Sequence, residues 1–147
     1  MYEESLRVPL IIYDPRAPAI NRGRSEEAMT LNLDFAPTML SLAGMTPPAG
    51  MQGRSLLPLL ENQPSPGWRT DFFYEEHFFP TKIPPSEGVR TERWSYIRWV
   101  DEKPVSEELF DLKTDPLEGH NLAADPENAK IIAGLRARWE KYREELK

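Results

Sequence analysis

The chain has 147 residues, 39% hydrophobic and 29% charged, with a net charge of −6, a pI near 5.0 and no cysteine. That length suits one domain with a real core, and the acidic balance argues against nucleic acid or a membrane as a partner, since either would want a basic patch. Without cysteine there are no disulfides, thiolate metal sites or cysteine nucleophiles, and the redox compartment stays open.

Residues 8–13, VPLIIY, form a nearly unbroken apolar run closed by Asp14-Pro15. The run predicts a strand buried on both faces, of the kind found inside a parallel sheet covered by helices. No other stretch offers a second βαβ unit, so this strand is expected to belong to a sheet that is mostly outside the chain. The alternative is an extra strand of the antiparallel sheet described below. Residues 16–27 are a polar loop, and 28–31 a short strand. Residues 32–44, NLDFAPTMLSLAG, predict a compact helix, with Asn32 or Asp34 as its cap rather than as a metal ligand. Pro37 falls within the first turn, and Gly44 supplies a left-handed stop.

Fifteen prolines are about twice the usual share, and many fall between Pro47 and Pro85, which predicts an irregular middle section. Within it, Ser55 caps a helical turn or two over 56–60, and 64–67 is a linker. Residues 70–79, TDFFYEEHFF, predict a strand with Phe72, Tyr74, Glu76 and Phe78 on one face and Phe73, Glu75, His77 and Phe79 on the other. Glu75, Glu76 and His77 suit metal ligands or an acid/base set. They equally suit a sheet-end cluster paired to Arg90, Arg93 and Arg98; pairing is favoured for the glutamates, and both readings stay open for His77.

The stretch 88–122 is the organising element. In residues 94–100, Trp94, Tyr96, Arg98 and Val100 alternate with Ser95, Ile97 and Trp99. Aromatic bulk on both faces predicts a sheet covered on both sides. A second strand follows at 108–112 and ends in a turn enforced by Asp115-Pro116. From Asp125-Pro126 a helix is predicted over 126–146, with Ile132, Leu135, Trp139, Tyr142 and Leu146 on its apolar stripe.

Three separated stretches resemble one family, the sulfatases. They are YEESLRVPLII (2–12); LDFAPTMLSLAG (33–44) with QGRSLLPLL (52–60); and VRTERWSYI (89–97) with ELFDL (108–112), DPLE (115–118) and NL (121–122). The resemblance covers the last third of such an enzyme and implies an alkaline-phosphatase-like superfamily parent that hydrolyses sulfate esters. Such a parent uses a formylglycine made from Cys or Ser in a [Cys/Ser]-x-Pro-x-Arg motif, beside a Ca²⁺. Neither that motif nor the paired-Asp metal motif is in this sequence, so no catalytic, metal or cofactor residue is expected here.

The expected fold is α+β. A small antiparallel sheet is packed by a long C-terminal helix, with a leftover strand and helix of an alkaline-phosphatase-like α/β domain. Residues 1–67 would close the catalytic domain, and 68–147 would form the C-terminal subdomain. The expected partners are the remainder of the catalytic domain and, in the parent enzyme, a sulfated sugar or aryl sulfate. His77 and Arg90 are the expected substrate contacts, because each can place a donor near an anion. Family resemblance implies a periplasmic or secreted parent. Two alternatives stand: a stand-alone binding module, or the tail of a related phosphodiesterase or phosphonate hydrolase.

The apolar run at 8–13, left without strand neighbours, is expected to drive homodimerisation or strand swapping of the isolated chain. Light scattering at high concentration checks this: a dimer is expected, and a monomer counts against it.

Overall fold

The computed structural model describes residues 1–77 and 83–146. They form two compact units, Met1–Leu10 with Thr70–Lys147, and Ile11–Arg69. In chain order the helices are α1 (Glu3–Leu6), α2 (Phe35–Leu42), α3 (Leu57–Leu60) and α4 (Ala129–Glu145). The strands are β1 (Asp71–Glu76), β2 (Ser86–Thr91), β3 (Trp94–Trp99) and β4 (Ser106–Asp111). The strands pair antiparallel in sequence order.

Strand periodicity sends alternate side chains to opposite faces, and each face has its own core. On one, the register aligns Phe73, Val89, Tyr96 and Leu109 in a row across all four strands. Ile132, Leu135 and Trp139 of α4 close over that row. On the other, Tyr74, Ile97 and Phe110 pack with Met1, Leu6, Phe72 and Trp99. The predicted double cover is therefore present, one side being α4 and the other the segment around α1. Gly88 lies between Tyr74 and Ile97 in this register. A Cβ there would sit 2.4 Å from the Tyr74 ring and from the Tyr96 carbonyl oxygen. Its absence lets the Tyr74 ring lie across β2, from where the hydroxyl donates to the Met1 carbonyl at 3.1 Å.

The helix start at Asp125-Pro126 is as expected: Asp125 accepts from the Glu127 amide at 2.9 Å. A 3₁₀ turn, Pro126–Asn128, leads into α4. Leu146 lies past the helix and is 47% exposed. Sequence periodicity did not separate β2 from its surroundings. Its residues, SEGVRT, include two charged side chains and a glycine, and its strand state comes from pairing on both edges. The expected strand over 70–79 is shorter at its start, beginning at Asp71, and regular pairing stops at Glu76. Phe78 and Phe79 lie outside the described residues.

Two expected strands are corrected. Residues 8–13 and 28–31 form no strand. Ile11 and Tyr13 are 90% and 81% exposed. An apolar run becomes a buried strand only where neighbours supply its ladder and its cover, and the described chain places none beside this one.

In the second unit a 3₁₀ turn, Asn32–Asp34, runs into α2, and Gly44 ends it at φ +75°. Asp34 is more than the expected cap. Fully buried, it accepts from the Leu31 and Arg54 amides at 2.8 Å each. It also accepts from Arg69 Nη2 at 2.7 Å and from Nη1. Burial opposes its ionisation, but Arg69 and the two amides outweigh that and hold the carboxyl below its ordinary pKa. Thr38 Oγ1 accepts from the Leu56 amide at 2.9 Å. A Cβ at Gly53 would lie 1.8 Å from the Leu33 carbonyl oxygen. These contacts account for the QGRS sequence: the glycine permits the approach, and the next amide reaches the buried carboxylate.

At one corner of the sheet Arg93 donates from Nε and Nη2 to Asp111 at 2.9 and 2.7 Å. The guanidinium lowers the Asp111 pKa to about 2, against burial and with help from the Lys113 amide.

Two predictions follow from this packing. Gly88→Ala should cost roughly 1–3 kcal/mol or more by overpacking, read as a lower urea midpoint. Leu117→Ala, at a 78% exposed site, should change stability by less than about 0.5 kcal/mol. For Asp111, the folded pKa lies below the unfolded value of about 3.9. Its stabilisation is complete above that value and is lost as pH falls through about 2. Urea midpoints recorded on descending through this window should fall more steeply for the native chain than for Asp111→Asn.

Candidate functional site

Residues from α1, β2 and the turns that follow β2 and β4 enclose a cleft of about 320 Å³. Arg7, Arg90, Arg93 and Lys113 line it, against the carboxylates Glu3 and Glu92. Arg90 is placed by β2, opposite Phe72 and Ser95 in register, on the sheet face away from α4. Its Nε and Nη2 donate to Glu3 at 2.6 and 3.2 Å. Its Nη1 is buried and has no acceptor among the described residues. A buried guanidinium donor left without a partner is costly, so this corner is suited to an added anion.

Glu3 is itself held in place. Its amide donates to Glu118 Oε2 at 2.5 Å, and Glu118 is buried with φ +52°. The Asp115 side chain shapes the turn around it by accepting from the Gly119 and His120 amides at 3.1 and 2.8 Å. The DPLEGH stretch thus positions a carboxylate beneath α1, and α1 positions the partner of Arg90. Sequence reasoning did not find Glu3, because it sits 87 residues from Arg90 with no local signal joining them.

At the other end of the sheet, on the α4 face, the register sets Glu75, Glu87, Arg98 and Glu107 in one row. Glu107 accepts from the Tyr96 hydroxyl at 2.5 Å, from Arg98 at 3.1 Å and from Arg136 Nε at 2.8 Å. Arg136 is the largest influence holding its carboxyl below the ordinary pKa, against burial, and Tyr96 and Arg98 add to it. Burial, then the Glu107 bond, pushes Tyr96 up to about 12. Arg98 and Arg143 lie 4.5 and 5.0 Å from the Trp139 ring centre. His77, just past β1, has Nε2 at 4.0 Å from Glu75 and 3.9 Å from Glu87.

The expected pairing of Glu75 with Arg90, Arg93 and Arg98 is corrected. Those arginines pair instead with Glu3, Asp111 and Glu107. Strand alternation explains the first case: Arg90 and Glu75 stand on opposite faces. His77 and Arg90, named together as substrate contacts, are for the same reason not brought together.

Residues 1–145 match the family described as N-sulphoglucosamine sulphohydrolase, C-terminal. An N-acetylglucosamine-6-O-sulfatase of Bacteroides thetaiotaomicron is 38% identical over 135 residues, covering 88% of this chain and 24% of that protein. A solved structure in complex with its substrate D-glucosamine-2-N,6-O-disulfate superposes with TM-score 0.69 at 32% identity, covering 76% of this chain and 23% of the other. The phosphonate monoester hydrolase of Agrobacterium radiobacter superposes with TM-score 0.71 at 27% identity, covering 85% and 27%. The chain spans about a quarter of the length of these relatives. Matched over nearly all its length, with its sheet and long helix shared by sulfatase C-terminal domains, the chain belongs to the N-sulphoglucosamine sulphohydrolase C-terminal family of the alkaline-phosphatase-like superfamily.

Proposed function

We propose that this chain serves as the C-terminal portion of a sulfate-ester hydrolase, supporting the fold and walling the substrate cleft, with the reacting groups on the remainder of the catalytic domain. The observation that carries this reading is the Arg90 cleft, where four cations face two carboxylates and one buried guanidinium nitrogen has no acceptor among the described residues. A sulfated sugar or aryl sulfate offers the oxygens such a donor lacks. Residues 1–67 are assigned to the end of the catalytic α/β domain and 68–147 to the C-terminal subdomain, with residues 1–10 packed onto the latter's sheet. The exposed run at 8–13 is assigned to the sheet of that catalytic domain, where strand neighbours would bury it.

Of the two expected substrate contacts, Arg90 is retained. His77 stands between two carboxylates, and their like charge repels a sulfate there. Arg90 binds and orients the anion; Glu3 fixes the plane of its guanidinium, and Glu118 fixes Glu3.

Ca²⁺ and formylglycine are implied for the parent enzyme, where the metal offsets oxyanion charge and the hydrated aldehyde is the nucleophile. The residues of this chain do not fit either group. The sequence has no cysteine and no Ser-x-Pro-x-Arg. Among the described residues, the grouping of three His, Asp or Glu ligand atoms is Glu75, His77 and Glu87, which is not an Asp/Asn oxygen cage.

The superposition on a phosphonate monoester hydrolase favours a second reading, a parent acting on phosphonate or phosphate esters. Steady-state kinetics of this chain joined to its catalytic domain separate the two. A preference for sulfate over phosphonate monoesters is expected, and the reverse preference establishes the second reading. In the same protein, Arg90→Ala should raise KM for a sulfated saccharide at least tenfold, the loss of one charge-assisted contact. It should change kcat on a small aryl sulfate little. An unchanged KM across sulfated saccharides removes Arg90 from the cleft wall.

A further inference from the structure

We propose that Glu75, His77 and Glu87 form a site for one divalent transition-metal ion of the zinc class, pinning the open ends of β1 and β2 together. The proposal is independent of the substrate and reaction assigned above.

The backbone creates the site. Glu75 and Glu87 are directly opposite each other in the β1–β2 register, an arrangement in which like charges destabilise a strand pair. His77 follows two residues after Glu75 and comes back over the same face. One ligand atom from each of the three lies within 4.8 Å of the others. The His77 Nε2 distances, 4.0 and 3.9 Å, are too long for hydrogen bonds, so neither carboxylate accepts the ring's proton. About 2.0–2.2 Å from a shared ion to each atom would draw the three together by roughly 1 Å. The two outer side chains can supply that movement, since Glu75 is 65% and His77 50% exposed, while Glu87 is only 5% exposed and forms the fixed wall.

A second observation points to a ligand. Among the described residues Glu87 Oε2 is buried with no hydrogen-bond partner, although a buried carboxylate normally has its lone pairs satisfied, and the same carboxylate turns Oε1 toward His77. Oε2 is ion-paired with Arg143 Nε at 3.3 Å, and the same guanidinium packs over the Trp139 ring. Arg98, opposite Glu87 in register, is engaged with Glu107 and with that same ring. The site therefore holds two carboxylates around an imidazole with one guanidinium.

The donor set selects the ion. An imidazole nitrogen with two carboxylate oxygens suits zinc and its neighbours; calcium and magnesium prefer all-oxygen sites. Water would complete a tetrahedral shell. The only other histidine in the chain is His120, on the turn beside Asp115, and it provides an internal control.

Isothermal titration of the chelator-treated chain with zinc chloride tests the proposal. One ion per chain is expected, with a higher thermal midpoint in its presence. His77→Ala and Glu75→Gln, both at exposed positions, should each weaken binding at least tenfold, while His120→Ala leaves it unchanged. Absence of binding, equal affinity in His77→Ala, or loss of binding in His120→Ala overturns the proposal.

Discussion

A four-stranded sheet with large side chains on both faces has to be covered twice, and the rest of the unit formed by residues 1–10 and 70–147 depends on how that is done. Helix α4 covers one face through Ile132, Leu135 and Trp139. The other is covered by the segment around α1, a short piece of chain that must lie close to the strands to exclude water. Gly88 makes the close approach possible, because Tyr74 can then cross β2 and reach the Met1 carbonyl. Burial of apolar area at roughly 25 cal/mol per Å² drives both layers, but only the second needs a missing side chain to form.

Covering the sheet in this way also delivers the charged groups. The α1 segment brings Glu3 to Arg90 across a separation of 87 residues, and Glu118 holds the α1 segment through the Glu3 amide. An arginine with two nitrogens committed and a third buried and unpaired is rigid, and a rigid donor loses little entropy on meeting an anion. The packing on one face of the sheet and the candidate anion cleft beside Arg90 are consequently one construction.

How much of this was legible in the sequence depends on whether the signal was local. Helix α4 was legible because its cap, its proline and its apolar spacing are all written within one segment. Strand β3 and both covered faces were legible from the alternation of Trp94, Tyr96, Ile97 and Trp99. Strand β2 was not: SEGVRT has no period-two apolar pattern, and its state is set by its neighbours. Residues 8–13 misled for the opposite reason, an apolar run whose partners are absent from the described chain. In the candidate cleft, Arg90 was found as a type of residue suited to anions, but its partner Glu3 carried no local mark. The family motifs were legible as patterns before their causes were. Gly53 and Arg54 matter because one allows contact with the Leu33 carbonyl and the other donates to buried Asp34.

The central claim is that this chain shapes and supports an active site whose reacting groups it does not carry. The most direct test is turnover of an aryl sulfate by the purified 147-residue chain with Ca²⁺ present, beside the same chain joined to its catalytic domain. The account predicts no rate above buffer for the chain alone and hydrolysis by the joined protein. Hydrolysis by the chain alone would contradict it.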